Sequence, residues 1–297
     1  INILSDARAA KELKAEGVGL YRSEFLFLIR NDFPSEEEQY LIYRRLLEKM
    51  NDVVFRTLDI GGDKVLGSVD QAEANPFMGL RGLRYSLRNQ DIFEVQLRAL
   101  LRAGMGYKLK ILFPLVTGIE DFRKAVNIVK RVVEDMVEEG IDCVTDPEIG
   151  AMIELPSAVM MVDELAEEAA FLSIGTNDLV QYLLGIDRNN EKIADLYTPQ
   201  HPSVLRAIRK ISDSAKKHNC PLSVCGNAAA DPDMLEYFIG LGISSFSTNH
   251  RMIQFMRRQI GEMSYSHAKY FAKKSLSTRT VKDFQKLIAK KRTIIQF

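Results

Sequence analysis

The sequence is short of three things, and each shortage excludes a class of protein. It carries no surplus charge: forty basic residues face forty acidic ones among 297. A chain whose main partner is nucleic acid is usually basic, so that class is set aside, although a local basic pocket for a small anion stays open. Cysteine is scarce. Cys143, Cys220 and Cys225 have neither zinc-finger nor redox-pair spacing, and an odd count argues against a disulfide framework, so the reducing cytoplasm is the expected setting. Long apolar runs are missing too. None could span a bilayer, and the opening residues Ile1–Leu4 have no signal-peptide pattern, so no membrane is expected. Gly/Ser-rich linkers and internal repeats are likewise absent, which makes one domain over residues 1–297 the simplest count. The chain also lacks an initiator methionine and is expected to be a piece of a longer protein.

What is present is ample material for a core, at 46% hydrophobic residues. Short apolar, β-branched runs alternate with longer segments of helical period. The strands are expected at Ile1–Leu4, Val18–Tyr21, Val53–Leu58, Leu109–Phe113, Ile149–Ile153, Phe171–Ile174, Leu222–Val224 and Ser244–Ser247. Nearly all their residues are apolar, as in parallel strands buried on both faces. Helical pattern fills Ser157–Ala170 and Val204–His218, and Ser35/Glu38 and Thr280/Asp283 have capping-box spacing. Eight strands separated by helices predict a (β/α)8 TIM barrel over about residues 1–260, with a helical extension over 261–297. An oversized loop is expected between Gly61 and Ser86.

Barrel enzymes place their chemistry at the C-terminal ends of the strands. Those positions read Arg22, then Arg56 and Asp59, then Glu154, then Asn177 and Asp178, then Cys225. Guanidiniums bind an oxyanion such as phosphate through planar, permanently charged forks. Two carboxylates on neighbouring βα units suit Mg²⁺, which takes a few carboxylates plus substrate oxygens and water. A cysteine at a strand end serves as proton carrier or nucleophile. Together they point to a phosphorylated, metal-bound small substrate. Taken singly, each has a plainer reading. Arg22 could be a surface ion-pair partner, Asn177 or Asp178 a helix N-cap, Glu154 a solvated loop carboxylate, and Cys225 a small buried apolar residue. Gly61–Lys64 could be an ordinary turn. Met152, Met160 and Met161 read as core filler, and His201 as a loop or helix-start residue.

Five segments follow one another along nearly the whole chain: Gly17-Val-Gly-Leu-Tyr-Arg-Ser-Glu-Phe-Leu26, Arg56-Thr-Leu-Asp-Ile-Gly-Gly-Asp-Lys64, Asn75-Pro-Phe-Met-Gly-Leu-Arg81, Met152-Ile-Glu-Leu-Pro-Ser-Ala158 and Ser173-Ile-Gly-Thr-Asn-Asp-Leu179, continuing to Asp187-Arg188. In this order they resemble the enzyme I family of phosphoenolpyruvate-protein phosphotransferases. The segments Asp32–Gln39 and Asp187–Asn190 look more like its nitrogen-related branch.

The resemblance implies a fold and a division of labour. The phosphate of phosphoenolpyruvate would lie against Arg22, Arg56 and Arg188, with Lys64 and Arg81 adding positive charge and Asn177 a hydrogen bond. Mg²⁺ would sit on Glu154 and Asp178. The phosphoryl group would pass to a histidine of an upstream domain and on to a small phosphocarrier protein, and Cys225 would protonate the enolate to give pyruvate. A cytoplasmic homodimer is implied as well. Asn227 stands where the family usually has glutamate, and Ala230 where it has glycine, which puts the pyruvate-forming step in doubt. No glycine-rich segment ending in Ser-His or Thr-His occurs, so the chain is expected to bind phosphoenolpyruvate without phosphorylating itself. Two other readings remain: the barrel of a pyruvate phosphate dikinase or phosphoenolpyruvate synthase, and a phosphoenolpyruvate-sensing dimerisation module without turnover.

Overall fold

The computed structural model describes residues 1, 3–28, 33–61 and 73–295. Its contacts divide the chain into two compact units, Ile1–Met152 with Glu168–Phe171, and Ile153–Glu167 with Leu172–Phe297.

The first unit runs α1 (Leu4–Glu12), β1 (Val18–Arg22), α2 (Glu24–Leu28), α3 (Glu36–Lys49), β2 (Val53–Arg56), α4 (Leu83–Arg88), α5 (Gln90–Ala103), β3 (Lys110–Phe113), α6 (Ile119–Glu138) and β4 (Glu148–Ile153). Neighbouring strands are parallel, and the ladder pairs Arg22 with Arg56, Arg56 with Leu112, and Leu112 with Gly150. Parallel strands buried on both faces need apolar side chains on both, and Val53, Phe55, Ile111, Leu112 and Ala151 are all fully buried. Tyr21, Tyr43 and Phe55 meet edge to face, which fixes β1 and β2 against α3. Helix α3 starts where its capping box predicts: Glu38 N–H donates to Ser35 Oγ and Ser35 N–H to Glu38 Oε2.

The second unit carries α7 (Pro156–Met160), α8 (Val162–Glu168), β5 (Phe171–Gly175), α9 (Thr176–Leu184), α10 (Pro202–Lys217), β6 (Leu222–Cys225), α11 (Pro232–Gly240), β7 (Ser245–Phe246), α12 (Ile253–Gly261), α13 (Tyr265–Ser275) and α14 (Val281–Ile295). Its strands are parallel too, with Gly175 opposite Cys225 and Val224 opposite Phe246. The extension expected after residue 260 is present as α13 and α14. Ala268, Phe271 and Ala272 form the buried stripe of α13, which packs on α11.

The fold class is the (β/α)8, TIM-barrel type expected from the sequence, with seven strands assigned among the described residues. Three expectations need correction. Ile1–Leu4 is not a strand, because α1 begins at Leu4 and buries Ala7 and Ala10 at helical spacing. Among the described residues Ile1 makes strand-like bonds: its N–H donates to Leu20 O and its carbonyl accepts from Arg22 N–H. Ser157–Ala170 is two helices, since Met161 leaves helical geometry at φ −97°, ψ 20°. The long loop after Gly61 ends sooner than expected, with α4 starting at Leu83; residues 62–72, Lys64 among them, lie outside the described residues. No helix among the described residues is long and apolar enough to cross a membrane.

Candidate active site

In the first unit the chain turns out of β2 through Thr57, Leu58 and Asp59, all buried. Buried backbone donors need partners. Thr57 N–H finds Leu112 O at 3.0 Å, and Leu58 N–H finds the Gln96 Oε1 at 2.9 Å. This holds Arg56 and Asp59 at the end of the strand. Gly61 follows at φ +103°, where an added Cβ would come within 2.5 Å of Leu80 O; only glycine fits.

The charged groups there form one chain of alternating sign. Arg56 Nη2 lies 2.5 Å from Glu24 Oε1, and its Nη1 lies 3.0 Å from Asp59 Oδ2. Asp59 in turn receives Arg81, with Nε at 3.1 Å from Oδ1 and Nη2 at 3.3 Å from Oδ2. All four residues are almost wholly buried. Buried charges persist only when paired in this way. The Phe77 ring lies 5.9 Å from the Arg81 guanidinium carbon. Arg22, the last residue of β1, is different: half-buried, with its side chain in no ion pair among the described residues.

In the second unit, Glu154 and Asp178 are both buried. Helix α9 takes Gly175 as its N-cap, without a side-chain capping bond, so neither Asn177 nor Asp178 is the cap. Asp178 sits in the first turn, where the helix dipole favours a carboxylate. Arg188 returns over this turn after the left-handed Gly185, its backbone N–H bonded to Gln181 Oε1 at 3.2 Å. Its Nη1 is buried without a hydrogen-bond partner and stands 3.8 Å from Asp178 Oδ1, an attraction too long for a hydrogen bond. Such an orphaned buried donor is a group that can take an anion.

Asn177 has a fixed orientation. Its Oδ1 accepts Asn227 N–H at 2.9 Å, which leaves the amide NH₂ as a donor, and its carbonyl accepts the Tyr197 hydroxyl at 3.1 Å. Cys225, the last residue of β6, is buried; its thiol lies 3.4 Å from Ile174 O and 3.7 Å from the Ser173 hydroxyl. Thr176 Oγ1 donates to Cys225 O at 2.7 Å. Asn227 is exposed, and its bond in this cluster is made by the backbone. His201 caps α10, as its place before Pro202 suggests.

No group of three or more His, Cys, Asp or Glu side chains able to hold a metal occurs among the described residues. Glu154 and Asp178 are buried carboxylates, a residue type that can hold a hard cation when substrate oxygens and water complete its shell. Sequence reasoning passed over Glu24, Gln96, Ser173 and Tyr197. Glu24 stands two residues after Arg22 and could have been suspected; the others carry no local signal.

Guanidiniums and carboxylates at the strand ends of a parallel β/α fold are groups able to bind a small anion. Residues 1–265 match the family described as PEP-utilising enzyme, PEP-binding domain, and the chain belongs to that family. The chain is 41% identical over 281 residues to the phosphoenolpyruvate-protein phosphotransferase of Bacillus sp. (strain S), covering 94% of this chain and 49% of that protein. The protein of the same name from Mycoplasma capricolum is 40% identical over 290 residues, covering 97% and 51%. The chain thus spans about half the length of these relatives. Among solved structures, a magnesium/glyoxylate complex of Haloferax volcanii malate synthase aligns with TM-score 0.52 at 14% identity, over 86% of this chain and 69% of that one, a likeness of fold alone.

Proposed function

We propose that this chain is the phosphoenolpyruvate-binding, donor half of a phosphoenolpyruvate-protein phosphotransferase, folded as one domain with its barrel over about 1–260 and its extension over 261–297. The observation that carries the reading is that donors remain at positions the family resemblance assigns to phosphate: Arg22 without an ion pair among the described residues, the Arg188 Nη1 without a hydrogen-bond partner, and the amide NH₂ of Asn177, whose oxygen is taken by Asn227 N–H. Arg56 would bind phosphate from the end of β2, and Arg81 and Lys64 would add positive charge.

Glu154 and Asp178 would hold Mg²⁺, which when bound offsets the charge of the phosphate and carboxylate oxygens. The phosphoryl group would leave the enol oxygen for a histidine nitrogen of an upstream domain, one P–O bond breaking as one P–N bond forms. The Cys225 thiol would then give its proton to the enolate carbon, leaving pyruvate, and the thiolate would regain a proton from solvent. The phosphohistidine would pass its group to a small phosphocarrier protein. We place the protein in the cytoplasm as a homodimer, with no nucleic acid or membrane as partner; three free thiols accord with a reducing compartment.

The test is reconstitution. The chain is mixed with the histidine domain of a relative, phosphoenolpyruvate and Mg²⁺, and phosphohistidine and pyruvate are measured together. Equal formation of both is expected. Pyruvate that lags behind phosphohistidine at the rate of uncatalysed ketonisation would remove Cys225 from its role, and neither product, where a relative's own C-terminal half gives both, would overturn the reading.

A further inference from the structure

Behind Arg56, a line of buried amides and hydroxyls crosses the first unit. Gln39 Nε2 donates to Pro34 O at 3.0 Å, and the Tyr43 hydroxyl donates to Gln39 Oε1 at 2.9 Å. The two Gln96 Nε2 hydrogens reach Tyr43 OH at 3.2 Å and Ser23 Oγ at 3.0 Å, while Gln96 Oε1 accepts Leu58 N–H at 2.9 Å. Ser23 closes the line by donating to Arg56 O at 2.8 Å. Gln39, Tyr43, Gln96 and Ser23 are each at most 1% exposed.

Every hydrogen in this line has one direction. Burial pushes the Tyr43 phenol far above its ordinary range, so it remains a donor. That leaves its lone pair to Gln96, whose amide must then point its oxygen at Leu58. Because Gln96 supplies a donor to Ser23, the Ser23 hydroxyl hydrogen is released to Arg56 O. One amide therefore holds the backbone on both sides of the β2 exit, directly at Leu58 and through Ser23 at Arg56. A hydrophobic side chain at 96 could fill the space but could do neither.

We infer that Gln96 is a positioning residue for phosphoenolpyruvate binding, aiming Arg56 and Asp59 through the directional hydrogen-bond line Tyr43–Gln96–Ser23. The inference rests on the reading of Arg56 as a phosphate ligand. It assigns Gln96, a residue of α5 that reaches Arg56 only through Ser23 and the backbone of Leu58, a share of substrate affinity.

Gln96→Glu separates aiming from folding. The new carboxyl group still accepts Leu58 N–H and fills the same volume, but it carries at most one hydrogen where the amide carried two, so it cannot donate to both Tyr43 OH and Ser23 Oγ and the line loses its single direction. Ser23→Ala cuts the same link from the other side. Phosphoenolpyruvate affinity, measured by calorimetry with Mg²⁺ well below the melting temperature, should fall on the order of tenfold in each variant. The double variant should lose little more than either single one, since both cut one line. A Gln96→Glu protein that melts earlier but binds as tightly as wild type would show a structural role only and overturn the inference. Additive losses in the double variant would overturn it as well. If wild type fails to bind at all, the functional reading fails first; if wild type binds and Arg56→Lys weakens it while Gln96→Glu does not, only the present inference fails.

Discussion

Arg22 and Arg56 are register partners at the ends of β1 and β2, two guanidiniums on neighbouring strands. Like charges directly opposite one another in a sheet destabilise it. Arg56 is relieved by Glu24 and Asp59, whereas Arg22 has no ion pair among the described residues. The ladder thus keeps a cation at Arg22 for which the described chain supplies no counter-charge, and a bound phosphate would supply it.

Arg56→Lys should weaken phosphoenolpyruvate binding by about 10- to 100-fold, because one ammonium cannot serve Glu24, Asp59 and a phosphate at once. Titration calorimetry of the variant beside wild type gives the answer. Unchanged affinity would place the phosphate elsewhere.

Asp59 should prove structural before it is functional. Asp59→Ala leaves two buried guanidiniums with one carboxylate fewer, and a loss of about 3–5 kcal/mol is expected in denaturant unfolding. A loss below about 1 kcal/mol, the range of exposed pairs, would mean that Arg56 and Arg81 are hydrated in solution.

Gly226 should tolerate no side chain. It stands at φ +90°, and an added Cβ would collide with Thr176 Oγ1 and lie 2.9 Å from Asn177 Oδ1. Gly226→Ala is expected to cost about 1–3 kcal/mol and to weaken phosphoenolpyruvate binding with it, by pushing Asn177 off the Asn227 amide. Thermal melting and calorimetry on one preparation check both; a variant of wild-type stability would contradict the geometry.

Cys225→Ala should slow pyruvate release by roughly 10²–10⁴-fold in the reconstituted system while phosphohistidine still forms. Asn227→Glu should change that rate far less, because Asn227 is exposed and its hydrogen bond in the cluster comes from its backbone. A large gain from Asn227→Glu would mean that the family's glutamate does proton chemistry that Ser173 and Ile174 O cannot replace.

Much of this was legible in the sequence because it is local or periodic. Seven of the expected strands appear within a few residues of their apolar runs, and the capping boxes at Ser35 and Thr280 both form. Strand-end positions could be read from strand boundaries alone, which is why Arg56, Glu154 and Cys225 stood out. What stayed hidden depends on contacts between distant segments. Gln96 looks like any polar residue of an amphipathic helix until Ser23 and Leu58 are brought to it. Asp59 was noticed as a strand-end carboxylate, but its work of holding Arg56 and Arg81 follows from a loop that returns from residue 81. The break at Met161 has no glycine or proline to announce it, and α1 was hidden by three apolar residues at its start.

The central claim is that the chain binds phosphoenolpyruvate through a divalent cation on Glu154 and Asp178 and through the strand-end guanidiniums. Calorimetric titration of phosphoenolpyruvate into the protein, with Mg²⁺ and then with chelator, tests it most directly. One site per chain is predicted, strong with Mg²⁺, much weaker with chelator, and insensitive to Mg²⁺ in the Glu154→Ala/Asp178→Ala variant. Binding of equal strength with and without the cation, or wild-type behaviour of that double variant, would contradict the account.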